Sequence, residues 1–253
     1  MTDPAAPDFL DRPGRPRIAF RYTRGAGPTI LFLPGYMSDM AGGKATALFD
    51  WAAAEGQGCL LLDYAGCGLS DGLFADQTLL DWRGDVLDLI DAKADGPVIV
   101  VGSSMGGWLM LLVALALTQR DGPARVAGLV GIAAAPDFTD WGFTPEEKAI
   151  ILAEGALVEE TPYSDQPYVT TRGFFQSGEA NRLLGGEIPL TCPVRLLHGE
   201  EDGDVPPEIS MRLSAALASA DVQVTLVKGG DHRLSRERDI ALLIDTVARL
   251  AAG

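Results

Sequence analysis

Gly102-Ser103-Ser104-Met105-Gly106-Gly107 follows the apolar run Val98-Ile99-Val100-Val101, and only Ser104 in it has glycine both two residues before and two after. A strand that reverses sharply into a helix needs that spacing, which holds the serine in a strained conformation with its hydroxyl exposed above a sheet. A hydroxyl so displayed becomes a nucleophile when a neighbouring base takes its proton. The helix begins at once, so the Met105 amide and the positive helix end point at any oxyanion forming beside Ser104. Ser103 faces differently and is read as a structural or supporting hydroxyl. A second oxyanion donor is expected from the Tyr36 backbone N–H in Pro34-Gly35-Tyr36, directly after the apolar run Ile30-Leu31-Phe32-Leu33. Taken alone, those three residues also fit a simple Pro-Gly turn.

The chain has only two histidines, so the search for the base is short. His198 closes the apolar run Val194-Arg195-Leu196-Leu197, whereas His232 sits in the polar turn Gly229-Gly230-Asp231-His232. Where a Gly-x-Ser-x-Gly turn carries the nucleophile, the acid and then the histidine follow it along the chain. Only His232 leaves room for an acid between, so His232 is assigned as base and His198 as a structural hydrogen-bonding residue. Asp202, in the loop after His198, is the expected acid; it would fix the imidazole tautomer and stabilise the imidazolium. Asp204, Glu200 and Glu201 share that loop and Asp137 follows an earlier strand, so Asp204 and Asp137 stay open as alternatives.

Elements must carry these groups to one place. Runs rich in Val, Ile and Leu predict strands over 17–22, 29–33, 59–63, 98–102, 126–133, 194–198 and 222–227. Most are continuously apolar, as suits central strands of a parallel sheet covered on both faces. Helix-length segments over 44–54, 78–93, 105–119, 207–220 and 239–251 alternate with them, which predicts a mainly parallel, doubly wound α/β sheet. One domain over 1–253 accounts for the length. The rhythm breaks between 136 and 190, read as an inserted lid. Thr144-Pro145-Glu146-Glu147 opens a helix there with a capping box. Its aromatic residues, Phe138, Trp141, Phe143, Tyr163, Tyr168, Phe174 and Phe175, either line an acyl pocket or pack the insertion onto the body.

Twenty basic against thirty-five acidic residues leave a formal charge of −15. Such a field repels phosphate backbones and anionic membranes, so neither nucleic acid nor stable membrane insertion is expected. The apolar run 108–117 is too short to span a bilayer, for which about eighteen residues are needed. Three scattered cysteines, Cys59, Cys67 and Cys192, suggest neither a disulfide framework nor a zinc site and fit reduced thiols in a cytoplasm. The opening MTDPAAPDFLDRP has neither the basic start and apolar core of a secretory signal nor the acid-poor character of a transit peptide.

Taken together, FLPGYMSDMAGGKA, LLDYAGCGLSDG, DGPVIVVGSSMGGWLMLL, CPVRLLHGEEDGDVP and GGDHRLS resemble the α/β-hydrolase family of the mitochondrial palmitoyl-protein thioesterase that also cleaves mycophenolic acid acyl-glucuronide. The similarity runs over 9–250 and is weakest in the lid. It implies an α/β-hydrolase fold, a triad at Ser104, Asp202 and His232, and S-acylated or small-molecule acyl substrates, with no metal or organic cofactor. The expected reaction is hydrolysis of an acyl thioester or activated ester through an acyl-Ser104 intermediate. A general carboxylesterase for small esters is the alternative within catalysis, and a ligand receptor built on the same fold the alternative outside it.

Overall fold

The computed structural model describes residues 6–161 and 167–253. Its main sheet has eight strands: β1 (Asp8–Arg12), β2 (Arg15–Thr23), β3 (Ala26–Leu33), β4 (Gln57–Leu62), β5 (Val98–Ser103), β6 (Val126–Ile132), β9 (Val194–Gly199) and β10 (Val222–Val227). They lie in the order β1-β2-β4-β3-β5-β6-β9-β10; the β1–β2 and β2–β4 pairs are antiparallel and the rest parallel. The continuous apolar runs have a two-sided explanation. Leu31, Leu33, Val98 and Val100 point into one buried core, and Ile30, Phe32, Ile99 and Val101 into the other. Period-two alternation thus places apolar residues on both faces.

Helices α2 (Leu79–Lys93) and α3 (Met105–Asp121) cover the first core, while α1 (Gly43–Ala54) and α8 (Glu237–Ala252) cover the second. The Thr78 hydroxyl caps α2 with a full capping box, so the predicted start at 78 falls on the cap. From Met105 through Ala114 every residue of α3 is buried, which accounts for the apolar run there. No helix among the described residues is long and apolar enough to cross a membrane. α7 (Glu208–Ala216) stops short of the predicted 220 because the chain turns extended at Leu217. There the Ala218 N–H donates to the Ile188 carbonyl at 2.9 Å, and a sheet-type contact replaces the last helical turn.

Between β6 and β9 lie α4 (Phe138–Trp141), α5 (Pro145–Glu154), the antiparallel pair β7 (Ala156–Glu159) and β8 (Tyr168–Thr171), and α6 (Arg172–Ala180). The Thr144 capping box is present as expected. Of the aromatic residues singled out in this segment, Tyr163 lies outside the described residues.

Strand β1 has no counterpart in the predicted elements. Its five residues, Asp-Phe-Leu-Asp-Arg, are mostly polar, and its place depends on a distant helix. The buried Arg12 side chain pairs with the buried Asp85 carboxylate of α2, which also accepts from Arg15 at 3.1 Å and the Ala65 N–H at 2.8 Å. Removing Asp85 leaves the buried Arg12 only the partly exposed Asp88 carboxylate, 3.2 Å away, as a counter-charge. Asp85→Ala is therefore expected to lower unfolding free energy by about 3 kcal/mol, the low end for a broken buried pair, read by urea denaturation. A loss below about 1 kcal/mol, the worth of an exposed pair, would contradict it.

Candidate active site

Ser104 joins β5 to α3 with φ 54° and ψ −122°, a conformation that side chains rarely adopt. Both flanking glycines are required by space. A Cβ on Gly102 would stand 2.3 Å from the Gly106 carbonyl oxygen, and one on Gly106 would stand 2.2 Å from the Leu33 carbonyl oxygen. The turn is pinned by the Ser104 N–H to the Ile132 carbonyl at 2.9 Å, and by the Gly107 and Ala135 N–H groups donating to the Ser104 carbonyl. β3 and β5 are neighbours, yet the chain leaves β3 toward β4 on one side and β5 toward β6 on the other. Ser104 thus occupies the carboxyl edge at a topological switch point, where open α/β sheets form a crevice.

The Ser104 hydroxyl lies 3.1 Å from His232 Nε2, and His232 Nδ1 lies 2.9 Å from Asp202 Oδ2 and 3.1 Å from Oδ1. Three segments far apart in the chain thereby meet in one row. Their approach depends on two more glycines: a Cβ on Gly199 would sit 2.4 Å from the Gly230 carbonyl oxygen, and one on Gly230 would sit 2.8 Å from the Val227 carbonyl oxygen. Bare backbone at these positions lets the Asp202 loop and the His232 turn touch. The Asp202 side chain is fully enclosed. Burial works against its charge, but hydrogen bonds from His198, His232 and the Val205 N–H outweigh burial and hold the carboxyl well below its ordinary range.

A cavity of about 330 Å³ opens over the serine, lined by Tyr36, Met105, Phe138, Phe143, Tyr168 and His232 among others. Its size is that of a small-molecule site. The loop after β3 passes close above the serine, since a Cβ on Gly35 would lie 3.4 Å from the Ser104 Cβ. Neither the Tyr36 nor the Met105 backbone N–H meets a protein acceptor among the described residues. The buried Asp63 carboxylate accepts from the Met40 and Leu69 N–H groups at 2.7 and 2.8 Å and so fastens this loop to the end of β4.

Sequence reasoning assigned Tyr36 only a backbone role, and its side chain does more. The hydroxyl donates to the Val169 carbonyl of β8 at 2.7 Å, and the ring packs against Phe74, Phe138, Tyr168 and Phe174 with centroids 4.9–6.0 Å away. The loop beside Ser104 is thereby joined to the segment between β6 and β9. Of that segment's aromatic residues, Phe138, Trp141, Phe143 and Tyr168 line the cavity, whereas Phe174 and Phe175 are buried in packing.

Asp137 is engaged elsewhere: its carboxylate accepts from the Leu183 and Leu184 N–H groups at 2.8 and 2.7 Å, joining the two ends of the segment. The Asp204 backbone N–H donates to Asp202 Oδ1 at 2.9 Å. His198 is fully buried and bonded as expected, but one of its partners is Asp202 itself, 3.2 Å away, which sequence reasoning missed. Asp202, Asp204 and His232 bring possible metal ligands within 4.8 Å of one another. Asp202 is already ringed by N–H donors, however, and such a surrounding suits a bare carboxylate and not a cation. The cysteines are free, and burial pushes the thiols of Cys59 and Cys67 up to about 12 and that of Cys192 up to about 11, far from the range of a reactive thiolate.

Comparison with known proteins agrees with this architecture. The chain is 42% identical over 243 residues to the mitochondrial palmitoyl-protein thioesterase of Homo sapiens, covering 94% of this chain and 78% of that protein. The Mus musculus counterpart is 41% identical over 247 residues, covering 96% and 82%. A solved protein of Agrobacterium vitis superposes with a TM-score of 0.90 at 37% identity over 97% of each chain. Alpha/beta hydrolase domain-containing protein 10 from mouse superposes at 0.88 with 39% identity over 97% of this chain and 98% of that one. Residues 30–246 match the alpha/beta hydrolase family, and with this sheet and this extent of similarity the chain belongs to that family.

Proposed function

We propose that this protein is a serine hydrolase that cleaves acyl thioesters or activated acyl esters through an acyl-enzyme at Ser104, with His232 as base and Asp202 as acid. The observation that carries the reading is the unbroken row from the Ser104 hydroxyl through the His232 ring to the Asp202 carboxylate, at 3.1 and 2.9 Å. His232 Nε2 takes the serine proton as the oxygen attacks the acyl carbonyl, and Asp202 stabilises the imidazolium. Charge on the tetrahedral oxygen is met by the Tyr36 and Met105 N–H groups. Collapse breaks the bond to sulfur or oxygen, and the imidazolium returns its proton to the leaving group. Water, activated by the same imidazole, then attacks the acyl-serine and releases the acid. No step needs a metal or organic cofactor.

Residues 1–253 are read as one domain and 136–190 as a lid, because the segment supplies aromatic cavity wall and is tied through Tyr36 to the loop over Ser104. The similarity to palmitoyl-protein thioesterases favours thioesters with apolar acyl chains, and the aromatic wall suits such a chain. Nucleic acid is not a partner on this reading, given the charge of −15. Three unpaired cysteines suit a reducing compartment such as the cytoplasm.

The test is a panel of acyl thioesters and matched oxygen esters of graded chain length. Thioesters are expected to show kcat/KM at least about tenfold higher, a difference of about 1.4 kcal/mol in transition-state stabilisation. Equal rates on short oxygen esters would favour a general carboxylesterase. Failure of the folded protein to react with a fluorophosphonate, beside a serine hydrolase that does, would favour a receptor.

A further inference from the structure

The Asp202 carboxylate meets two imidazoles. His232 approaches Oδ2 from the cavity at 2.9 Å, and the fully buried His198 approaches the same oxygen from the protein interior at 3.2 Å. His198 Nε2 also lies 2.9 Å from the Val205 carbonyl oxygen. Both groups facing Nε2 are acceptors, so Nε2 carries the proton. In the neutral ring Nδ1 is then an acceptor, and the Ser210 hydroxyl of α7, buried and 2.7 Å away, donates to it. The opposite oxygen, Oδ1, accepts from the Asp204 and Val205 N–H groups, both at 2.9 Å. The 202–205 turn is thus held from two sides, with Val205 offering its N–H to Asp202 and its carbonyl to His198.

We propose that His198, oriented by Ser210, is a positioning residue that turns the Asp202 carboxylate toward His232 and limits how strongly that carboxylate holds a proton on the His232 ring. The inference rests on the reading of Asp202 and His232 as acid and base. Geometry supplies the first half: the His198 Nε2–H, bonded to the Val205 carbonyl, lies 3.2 Å from Oδ2, and beside His232 no other side chain among the described residues approaches that oxygen. Chemistry supplies the second. A donor to a carboxylate draws off negative charge, and a less basic carboxylate stabilises the neighbouring imidazolium less. Loss of His198 therefore leaves Asp202 both less well oriented and more basic. The other charged groups around the cavity that holds His232 are Asp39, Lys44, Glu159, Asp204 and Arg233. The substitutions below leave all of them in place, so a change in titration reports the Asp202 side of the ring.

The experiment measures kcat and KM against pH on one activated ester for the full-length wild type, His198→Leu, His198→Gln and Ser210→Ala, with a thermal melt of each. His198→Leu removes the donor. Its acid limb is expected to move upward by about half to one pH unit, with kcat at least about tenfold lower and KM within about twofold. His198→Gln, whose side-chain N–H can reach the same place, is expected to return the limb toward wild type. Ser210→Ala leaves the ring without its orienting donor and is expected to give a smaller shift in the same direction. If His198→Leu does not fold, the Ser210→Ala shift and the His198→Gln profile decide. Folded variants whose rates fall only as their melting temperatures fall, with the limb unmoved, would overturn the proposal. The underlying reading fails separately: near-wild-type turnover by His232→Ala would remove the base itself, whatever His198 does.

Discussion

Replacement of Ser104 by alanine is expected to lower kcat/KM by about 10⁵-fold or more, close to 7 kcal/mol of transition-state stabilisation, while the protein stays folded. The chemical half of the expectation follows from the row of hydrogen bonds: without the hydroxyl no acyl group is held covalently, and His232 Nε2 faces no nucleophile. The structural half follows from the backbone. Alanine keeps the Cβ, so the strain at φ 54° is unchanged, and the turn is held by main-chain bonds to Ile132, Gly107 and Ala135 that need no side chain. Among the described residues the hydroxyl bonds to His232 alone, so the cost in stability should stay near 1 kcal/mol. Turnover, fluorophosphonate labelling and a thermal melt measured together check both halves. Turnover within tenfold of wild type would remove Ser104 from the mechanism.

The parts of this molecule that could be read from its sequence share a physical cause. The turn at Ser104 was readable because Gly102 and Gly106 are excluded from carrying a Cβ by backbone 2.2–2.3 Å away, so steric demand there is written into residue type. The central strands were readable because burial on both faces leaves no room for polar residues. His232 was singled out by scarcity and chain order, whereas the acid stayed open between Asp202, Asp204 and Asp137 on the residues alone. What escaped was set by partners distant in the chain. β1 is a polar edge strand that is held by Arg12 reaching Asp85, seventy-three positions away. The β7–β8 pair is short and its inward residues are few, so periodicity carried little signal. His198 looked like a strand end, and nothing local says that the imidazole and the carboxylate four residues later face each other. The adjacency of Gly199 and Gly230 was the one available signal. Each glycine borders a chemically equipped loop, and both are needed because those loops touch.

Asp202→Asn is expected to lower kcat by about 10⁴-fold with little change in KM. The reason lies in the count of donors. Four N–H groups converge on this carboxylate: the Asp204 and Val205 backbone amides at Oδ1, and the His198 and His232 rings at Oδ2. A carboxylate accepts from all of them, but an asparagine amide must turn its NH₂ toward one side or the other. Turned toward Oδ1, the NH₂ confronts two backbone N–H groups that cannot change. Turned toward Oδ2, it confronts the His232 ring, which can, and the His198 ring, whose Nε2–H stays on the Val205 carbonyl at 2.9 Å. The second arrangement costs less, and in it His232 must offer Nδ1 as an acceptor and carry its proton on Nε2. That nitrogen then faces Ser104 as a donor and cannot take the serine proton. The fold survives because His232 alone changes tautomer while His198 keeps its bonds to Val205 and Ser210, so the melting temperature should fall by only a few degrees, equivalent to about 1–2 kcal/mol. Activity should recover in part as pH rises, because hydroxide in solution can begin to replace the missing base. A variant with wild-type kcat at neutral pH would show that His232 does not need Asp202 to choose its tautomer. In that event the hydrogen bonds at 2.9 and 3.1 Å would serve only to anchor the turn.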